Sequence, residues 1–231
     1  MSSVADSRGP CNWSTASTRP ADPRTRRQDI TLTPGAVETD RGLLLVDAGF
    51  PGAADQTETH LEAAGFGWDD VWGIVVTHQD VDHAGGLADV RERAEPVAFA
   101  HRECAPYVDG RDHPLKMNGK RYPAARVDVE LTAGARFATV AGPMEVVHTP
   151  GHAPGHISLY FPDERALVSG DALHAPEGEL DGPRGPLDEE TAVESVATLA
   201  DLAVERTLCH HGRVVEHDPD AVERVRDRAQ D

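Results

Sequence analysis

The sequence has few of the features that mark membrane, secreted or disulfide-bonded proteins. No stretch of the 231 residues approaches the roughly 18 consecutive apolar residues that span a bilayer, and no signal-peptide pattern opens the chain. The cysteines are only three, Cys11, Cys104 and Cys209, and they lie far apart without CxxC spacing. These absences argue against a membrane span, a disulfide scaffold and a cysteine zinc finger, and they favour a cytoplasmic location.

Basic charge is also scarce. Lys and Arg number 22 against 40 Asp and Glu, which gives a formal net charge of −18, and only Lys116 and Lys120 are lysines. A surface this acidic repels phosphate backbones and anionic lipids, so we expect a small-molecule partner rather than nucleic acid or a membrane. An acid-rich, lysine-poor composition is typical of proteins from salt-loving microbes, although a GC-rich genome also favours arginine over lysine. The oligomeric state is left open.

Residues 1–28 differ in composition from the rest of the chain. They are rich in Ser, Thr, Pro, Ala and Arg, with Trp13 as their one aromatic residue and no apolar periodicity. Such a segment cannot bury enough apolar surface to offset its ordering entropy, so we predict a disordered tail. We predict one domain over residues 29–231, where apolar runs of strand length alternate with helical patterns and indicate layered α/β packing.

The strands and helices are predicted from these apolar runs and helical patterns. Residues 43–46 are predicted as a buried strand that ends at Asp47 and pairs with the segment before the turn at 40–42. Further strands are predicted at 72–77, 97–100, 127–131, 137–140, 144–148, 157–161 and 166–169. Helices are predicted at 53–64, 86–94, 189–204 and 219–228.

Potential metal ligands are concentrated where strands end. The strand at 72–77 runs into THQDVDHAGG at 77–86, which places His78, Asp80, Asp82 and His83 within six residues. Three other strand ends carry HTPGHAPGH at 148–156, SGD at 169–171 and CHHG at 209–212. A polar loop is often rich in Asp and His without any function. Four such clusters favour a site for divalent transition metals, because imidazole and carboxylate suit those ions.

These motifs resemble those of the metallo-β-lactamase superfamily of metallohydrolases, and within it the glyoxalase-II-like branch. The resemblance covers about residues 36–215, includes LLLVDAG at 43–49, and keeps the order and spacing of the motifs. It implies an α/β fold of the metallo-β-lactamase type, an αββα four-layer sandwich. In that fold two sheets lie face to face, helices lie outside, and two metals sit at one edge.

The resemblance also implies a ligand set, residue by residue. His78, Asp80 and His152 resemble the ligands of the first metal, while Asp82, His83 and His211 resemble those of the second. Asp171 resembles the carboxylate that bridges both metals, and Asp47 an aspartate that supports the metal loop by hydrogen bonds. His210 stays an alternative to His211. Six further histidines are expected to be non-ligands: His148 and His156 lie at strand ends or support the ligands, and His60, His101, His113 and His217 lie on the surface.

This chain departs from the commonest family pattern in two places. Where most members have histidine it has Asp80, so two divalent ions, three carboxylates and one bridging hydroxide sum to about zero charge. The added oxygen ligand moves the preference toward iron or manganese, with zinc as the default. Ahead of Leu43 the chain supplies only the apolar residues Ile30, Leu32 and Val37, which leaves open that the first sheet lacks a regular N-terminal edge strand.

The chemistry implied by the resemblance is metal-assisted hydrolysis of an ester, thioester or lactone of a small molecule. A bridging hydroxide attacks the carbonyl, and Asp82 orients the hydroxide and moves its proton. No GxSxG, P-loop or dinucleotide fingerprint competes with this interpretation. A non-catalytic metal-binding member of the fold and a di-iron redox enzyme remain as alternatives. Glyoxalase II itself is disfavoured, because it adds a C-terminal helical region and only about twenty residues follow His211.

One segment is basic in this acidic chain. Residues 110–126 hold five bases against a single acid, Asp112, and include both lysines. Lys116, Lys120 and Arg121 are therefore predicted to bind a carboxylate-bearing substrate. The alternative is a solvated surface loop whose bases pair with neighbouring acids.

Overall fold

The computed structural model describes residues 16–18, 30–32, 35–175 and 178–230. The strands are β1 (Ala16–Thr18), β2 (Ile30–Leu32), β3 (Gly35–Thr39), β4 (Gly42–Val46), β5 (Val71–Val76), β6 (Val97–His101), β7 (Val129–Leu131), β8 (Arg136–Thr139), β9 (Gly142–His148), β10 (Ile157–Phe161), β11 (Ala166–Gly170), β12 (Arg206–Cys209) and β13 (Val214–Glu216). The helices are α1 (Ala54–Ala63), α2 (Val81–Ala84), α3 (Leu87–Ala94), α4 (Ala105–Asp109), α5 (Glu189–Ala200) and α6 (Ala221–Gln230).

Two sheets form the centre of the molecule. One has the strand order β3-β4-β5-β6-β7, and the other has the order β13-β12-β11-β10-β9-β8. In the first sheet β4 to β7 are parallel and β3 is antiparallel to β4. In the second sheet β9, β11 and β12 run in the same direction.

The apolar run at 43–46 explains the layering. Leu43 and Leu45 pack into the core under α1 and α3, whereas Leu44 and Val46 pack into the core between the two sheets. A third core lies under α5 and α6 on the outer face of the second sheet. Because successive strand residues point to opposite faces, a strand covered on both faces must be apolar throughout. The order is helix, sheet, sheet, helix, which confirms the predicted αββα fold.

The strand directions bring one set of strand ends to a single edge of the sandwich. The C-terminal ends of β4 and β5 lie there, and so do those of β9, β11 and β12. The loops that follow these strands carry the motif residues identified in the sequence. Their position therefore follows from the topology.

The structure settles one point that the sequence left open and corrects one prediction. The strand at 35–39 is a regular edge of the first sheet because Gly35 and Val37 are buried in alternation, although no described residue before it adds a strand to this sheet. The helix predicted over 189–204 ends at Ala200. Leu202 and Val204 pack into the same core from the connecting loop, so their apolar character extended the helical pattern too far.

The tail predicted at residues 1–28 lies outside the described residues apart from β1, which pairs antiparallel with β2. That prediction, and the domain boundary at residue 29, stay predictions. In the part of the chain that the structure describes, no helix combines the length and apolarity needed to cross a membrane.

Candidate metal centre

The seven predicted ligands converge at the shared edge of the two sheets. They fall into two groups of three with one carboxylate between them. The loop after β5 and helix α2 provide four of them, His78, Asp80, Asp82 and His83. The loops after β9, β11 and β12 provide His152, Asp171 and His211 respectively.

The first group consists of His78, Asp80 and His152. One ligand atom from each lies within 4.8 Å of the others. The Oδ2 atom of Asp80 lies 3.1 Å from Nε2 of His152 and 3.7 Å from Nε2 of His78. Both histidines are buried, while Asp80 is partly exposed.

The second group consists of Asp82, His83 and His211, again with ligand atoms within 4.8 Å of one another. The Oδ2 atom of Asp82 lies 3.0 Å from Nε2 of His211 and 4.0 Å from Nε2 of His83. Asp82 and His211 reach the surface, and His83 is fully buried.

Asp171 lies between the two groups. Its Oδ2 atom is 3.5 Å from Nε2 of His152 and 3.3 Å from Nε2 of His211, while its Oδ1 atom is 3.3 Å from Nε2 of His83. Gly170 precedes it at a φ of +54°, and a Cβ there would lie 2.6 Å from Nε2 of His156. Only glycine fits this turn, so it helps to fix where the carboxylate points.

Hydrogen bonds orient the histidine rings. The Nδ1 atom of His83 donates to Oδ2 of Asp47 at 2.8 Å, and Nδ1 of His78 lies 3.1 Å from the hydroxyl of Thr77. The Nδ1 atom of His152 bonds the carbonyl of Arg184 at 2.7 Å. A ring whose Nδ1 proton is held in this way presents the lone pair of Nε2 to the centre, which is the arrangement that metal-binding histidines need.

Asp47 is the hub of these supporting bonds. It is buried and has a φ of 63°, in the left-handed region that Asp adopts more readily than most residues. Its carboxylate accepts from the backbone N–H of Thr77 at 2.7 Å and from the Thr77 hydroxyl. Burial alone would raise the pKa of Asp47, but His83 outweighs it and holds that pKa below its usual value.

Among the described residues, four buried ligand atoms of the cluster have no hydrogen-bond partner. They are Nε2 of His78, Nε2 of His83, Oδ1 of Asp80 and Oδ1 of Asp171. Buried polar atoms in folded proteins are nearly always paired, and each of these belongs to a predicted ligand. Divalent cations would supply the missing partners, so the residues present fit a metal centre.

The electrostatics of the cluster favour cations as well. Burial opposes charge on Asp171, but the surrounding histidines outweigh it and hold its pKa well below the usual value. Burial likewise opposes protonation of His211, yet hydrogen bonds to Asp171 and Asp82 raise its pKa to about 9. Carboxylates that stabilise a proton on an imidazole would equally stabilise a metal ion, and metal binding would displace that proton.

The other motif histidines have different neighbours. His156 accepts a hydrogen bond from the backbone N–H of Asp171 at 2.9 Å, so it supports the shared carboxylate from behind. The ring of His210 packs on the ring of His83 with centroids 3.6 Å apart, and its Nδ1 lies 3.8 Å from Oδ2 of Asp47. A supporting role was one of the two predicted for His156, whereas His210 was predicted only as an alternative ligand.

His101 corrects a prediction. It was expected on the surface, but it is buried and its ring stacks on that of His148 at 4.1 Å between centroids. It ends β6 at the same edge of the sheet, where strand ends are covered by the neighbouring sheet.

The three predicted substrate-binding residues lie in different surroundings. Lys116 reaches the first group, with its Nζ 2.9 Å from Oδ2 of Asp80. Lys120 is exposed. The guanidinium of Arg121 donates to the carbonyl groups of Tyr107, Asp112 and Tyr122, which ties the loop to the end of α4.

Comparison with known proteins agrees with this geometry. The model of the metallo-beta-lactamase superfamily matches residues 35–211. A probable metallo-hydrolase, YflN, of Bacillus subtilis (strain 168) is 30% identical over 73% of this chain and 75% of its own. An N-acyl homoserine lactonase of Bacillus cereus is 27% identical over 81% of this chain and 87% of its own. A hydroxyacylglutathione hydrolase of Halorhodospira halophila is 33% identical over 62% of this chain and 48% of its own.

Solved structures share the fold. A metallo-beta-lactamase family protein from Thermus thermophilus has a TM-score of 0.73 at 20% identity, covering 94% of this chain and 79% of that one. The subclass B3 metallo-beta-lactamase BJP-1 of Bradyrhizobium japonicum has a TM-score of 0.69 at 20% identity, covering 86% and 84%.

Proposed function

The chain belongs to the metallo-beta-lactamase superfamily, and on this premise we propose that it is a hydrolase that uses two divalent metal ions to cleave an ester, thioester or lactone of a small molecule. The observation that carries the proposal is the pair of three-residue groups with Asp171 between them and unpartnered ligand atoms in both. The scarcity of cysteine supports the cytoplasm as its place of action.

Each residue of the cluster has a proposed role. His78, Asp80 and His152 would hold one ion, Asp82, His83 and His211 the other, and Asp171 would bind both. When bound, the two ions would polarise the substrate carbonyl and lower the pKa of the attacking water. Zinc is the default for this donor set, and the oxygen donors keep iron and manganese as alternatives.

Asp82 is the proposed catalytic residue. Its side chain is partly exposed beside His211, so substrate and water can approach it. Its carboxylate would orient the attacking water, take the proton that the water loses, and deliver that proton to the departing oxygen or sulfur. The buried residues behind it hold the rings still while this transfer occurs.

The substrate class is supported by the relatives and by one lysine. The chain aligns with 87% of the N-acyl homoserine lactonase but with 48% of the hydroxyacylglutathione hydrolase, which favours a lactone or simple ester over a glutathione thioester. Lys116 lies at the cluster and would attract a carboxylate on the substrate, with Lys120 and Arg121 adding to the local positive charge.

The test combines metal analysis with a substrate screen. Chelator-stripped protein is reloaded with zinc, manganese or iron(II), its metal content is measured, and lactones, thioesters and aryl esters are assayed. We expect about two ions per chain and turnover that depends on them. Asp171→Asn should lower activity by about 10- to 100-fold or more. His113→Ala, an exposed histidine outside the cluster, is the matched control and should have no effect.

Two outcomes would contradict the proposal in different ways. Metal binding without turnover of any ester class would favour the non-catalytic alternative. Failure to bind metal under any of the three conditions would remove the metal centre itself.

A further inference from the structure

Lys116 is placed where it contacts two of the proposed ligands of the first metal. It lies in a single 3₁₀ turn, Leu115–Met117, and its side chain is 25% exposed. Its Nζ atom is 2.7 Å from Nε2 of His152 and 2.9 Å from Oδ2 of Asp80. Both are hydrogen-bond distances. Nε2 of His152 is the atom that this ring would offer to a metal, whereas Asp80 has a second oxygen, Oδ1, without a hydrogen-bond partner.

The contact with His152 involves the ring atom that a metal would need, which also lies 3.1 Å from Oδ2 of Asp80. The Nδ1 proton of His152 is held by the carbonyl of Arg184 at 2.7 Å, so the one free lone pair of the ring lies at Nε2. An ammonium group that donates to this lone pair uses it fully. A metal ion that binds His152 through Nε2 needs the same electrons, so the two cannot be held at once.

The second group has no such competitor among the described residues. The ion pairs of Asp82 are made with His83 and His211, and those two rings pair with Asp47, Asp82 and Asp171. In the described part of the chain, no lysine or arginine takes part in these pairs. The two groups therefore differ in what a metal must displace: the side chain of a residue outside the ligand set at the first, and only a proton on a ligand, His211, at the second.

From this difference we infer that Lys116 is an internal cation of the first metal site, which must be displaced by the metal, so that the second site fills first. The inference rests on the proposed two-metal function. In the metal-free protein the ammonium partly neutralises Asp80 and satisfies His152. When the first site fills, the lysine is released toward solvent at the mouth of the cluster.

The size of the effect follows from the bonds that must break. A metal can bind the first site only after the hydrogen bonds of Lys116 are broken. Hydrogen bonds to charged groups are strong enough that this cost should lower the zinc affinity of the first site by about 10- to 100-fold, relative to the same site without the lysine. Zinc binding to the wild-type protein should therefore occur in two separate steps.

The first experiment measures zinc affinity on chelator-stripped protein by competition with a chromophoric chelator. Lys116→Met should tighten the weaker site by about 10-fold or more and leave the tighter site unchanged. Lys120→Met removes the same charge four positions further along, from an exposed side chain, and should leave both affinities as in the wild type. Circular dichroism checks that both variants fold.

The second experiment uses the unmodified protein and exploits its having only two lysines. Acetylation by a limiting amount of acetic anhydride is followed by mass spectrometry as zinc is added. Modification of Lys116 should be slow in the metal-free protein, stay slow through the first equivalent and rise with the second. Lys120 serves as the internal reference and should react at a constant rate.

The outcomes separate this inference from the function on which it rests. If zinc binds in two steps but Lys116→Met changes neither, or if Lys116 labelling ignores the second equivalent, the inference is wrong and the metal centre stands. If the wild-type protein binds no zinc, the proposed function fails first. Binding of one equivalent by the wild type and two by Lys116→Met would support the inference in its strongest form.

Discussion

Asp47 offers a sharp test of how the cluster is held together, because its carboxylate is buried and accepts three hydrogen bonds. The donors are the backbone N–H and hydroxyl of Thr77 and the Nδ1–H of His83. Asp47→Ala leaves all three without an acceptor. Asp47→Asn has nearly the same shape and keeps one oxygen, so it separates the loss of packing from the change in hydrogen bonding.

The expected magnitudes follow from those bonds. Each buried donor that loses its acceptor costs about 1–3 kcal/mol, and water entering the space left by the side chain recovers part of the sum. We expect Asp47→Ala to lower the free energy of unfolding by about 3–5 kcal/mol, which is about 6–20 °C in Tm for a chain of this size. Asp47→Asn should cost less.

The asparagine variant should affect metal binding more than stability. Its amide nitrogen, turned toward Nδ1 of His83, is a donor, so the imidazole must accept there and carry its proton on Nε2. That proton would occupy the lone pair that faces Asp171, 3.3 Å away. We expect zinc affinity of the second group to fall by about 10- to 100-fold.

The assay is urea denaturation of metal-free protein together with zinc competition on the folded protein. Asp55→Asn is the matched control, because it removes the same charge from a carboxylate that is 81% exposed and paired with Arg93. Exposed ion pairs of this kind contribute little to stability because water screens them, so the control should unfold like the wild type. Wild-type zinc affinity in Asp47→Asn would refute the argument that Asp47 sets the protonation of His83.

Two further predictions concern the scaffold. Gly151 has a φ of +110°, and a Cβ there would lie 2.2 Å from the backbone nitrogen of Ala192. Gly151→Ala should therefore lower the free energy of unfolding, measured by urea denaturation, by more than about 2 kcal/mol. The loss should be clearly larger than for Gly119→Ala, where a Cβ would meet no atom within 4 Å. Burial would raise the pKa of Asp128, but the backbone amide of Ala98 and the guanidinium of Arg91 hold that pKa below its usual value. The ionised carboxylate therefore stabilises the fold at neutral pH, and this stabilisation is lost as the pH falls through the lowered pKa. The stability difference between wild type and Asp128→Asn should therefore be largest near pH 7 and shrink below about pH 4; a difference independent of pH would contradict it.

Most strands of the two sheets were predictable because their burial leaves a direct trace in the sequence, although β12 and β13 of the second sheet were not predicted. Residues 43–46 must be apolar throughout, since both faces of β4 are covered. The strand predicted at 157–161 matches β10. Short elements left no such trace. Helix α4 has five residues and its position depends on contacts made by the loop after it, so periodicity could not find it.

The positions of the candidate ligands were predictable to the level of the motif but not of the individual contact. Strand-end clusters of Asp and His indicated one edge, and the structure brings all seven residues there. The contact between Lys116 and the first group depends on how the loop at 110–126 folds back over His152, which charge counting cannot reveal. Counting indicated a basic segment; only the tertiary fold distinguishes the lysine at the cluster from Lys120 in solvent.

Adjacent residues at these strand ends divide the work of the site. Thr77 follows β5 and bonds Asp47, while the next residue, His78, presents Nε2 to the first group. His210 follows β12 and packs behind His83, while the next residue, His211, reaches Asp82 and Asp171. Consecutive side chains of an extended segment point in opposite directions. One residue of each pair therefore faces the two ligand groups, and its neighbour faces the residues that support them. A polar pair at the end of a buried strand is thus better interpreted as one ligand and one support than as two competing ligands.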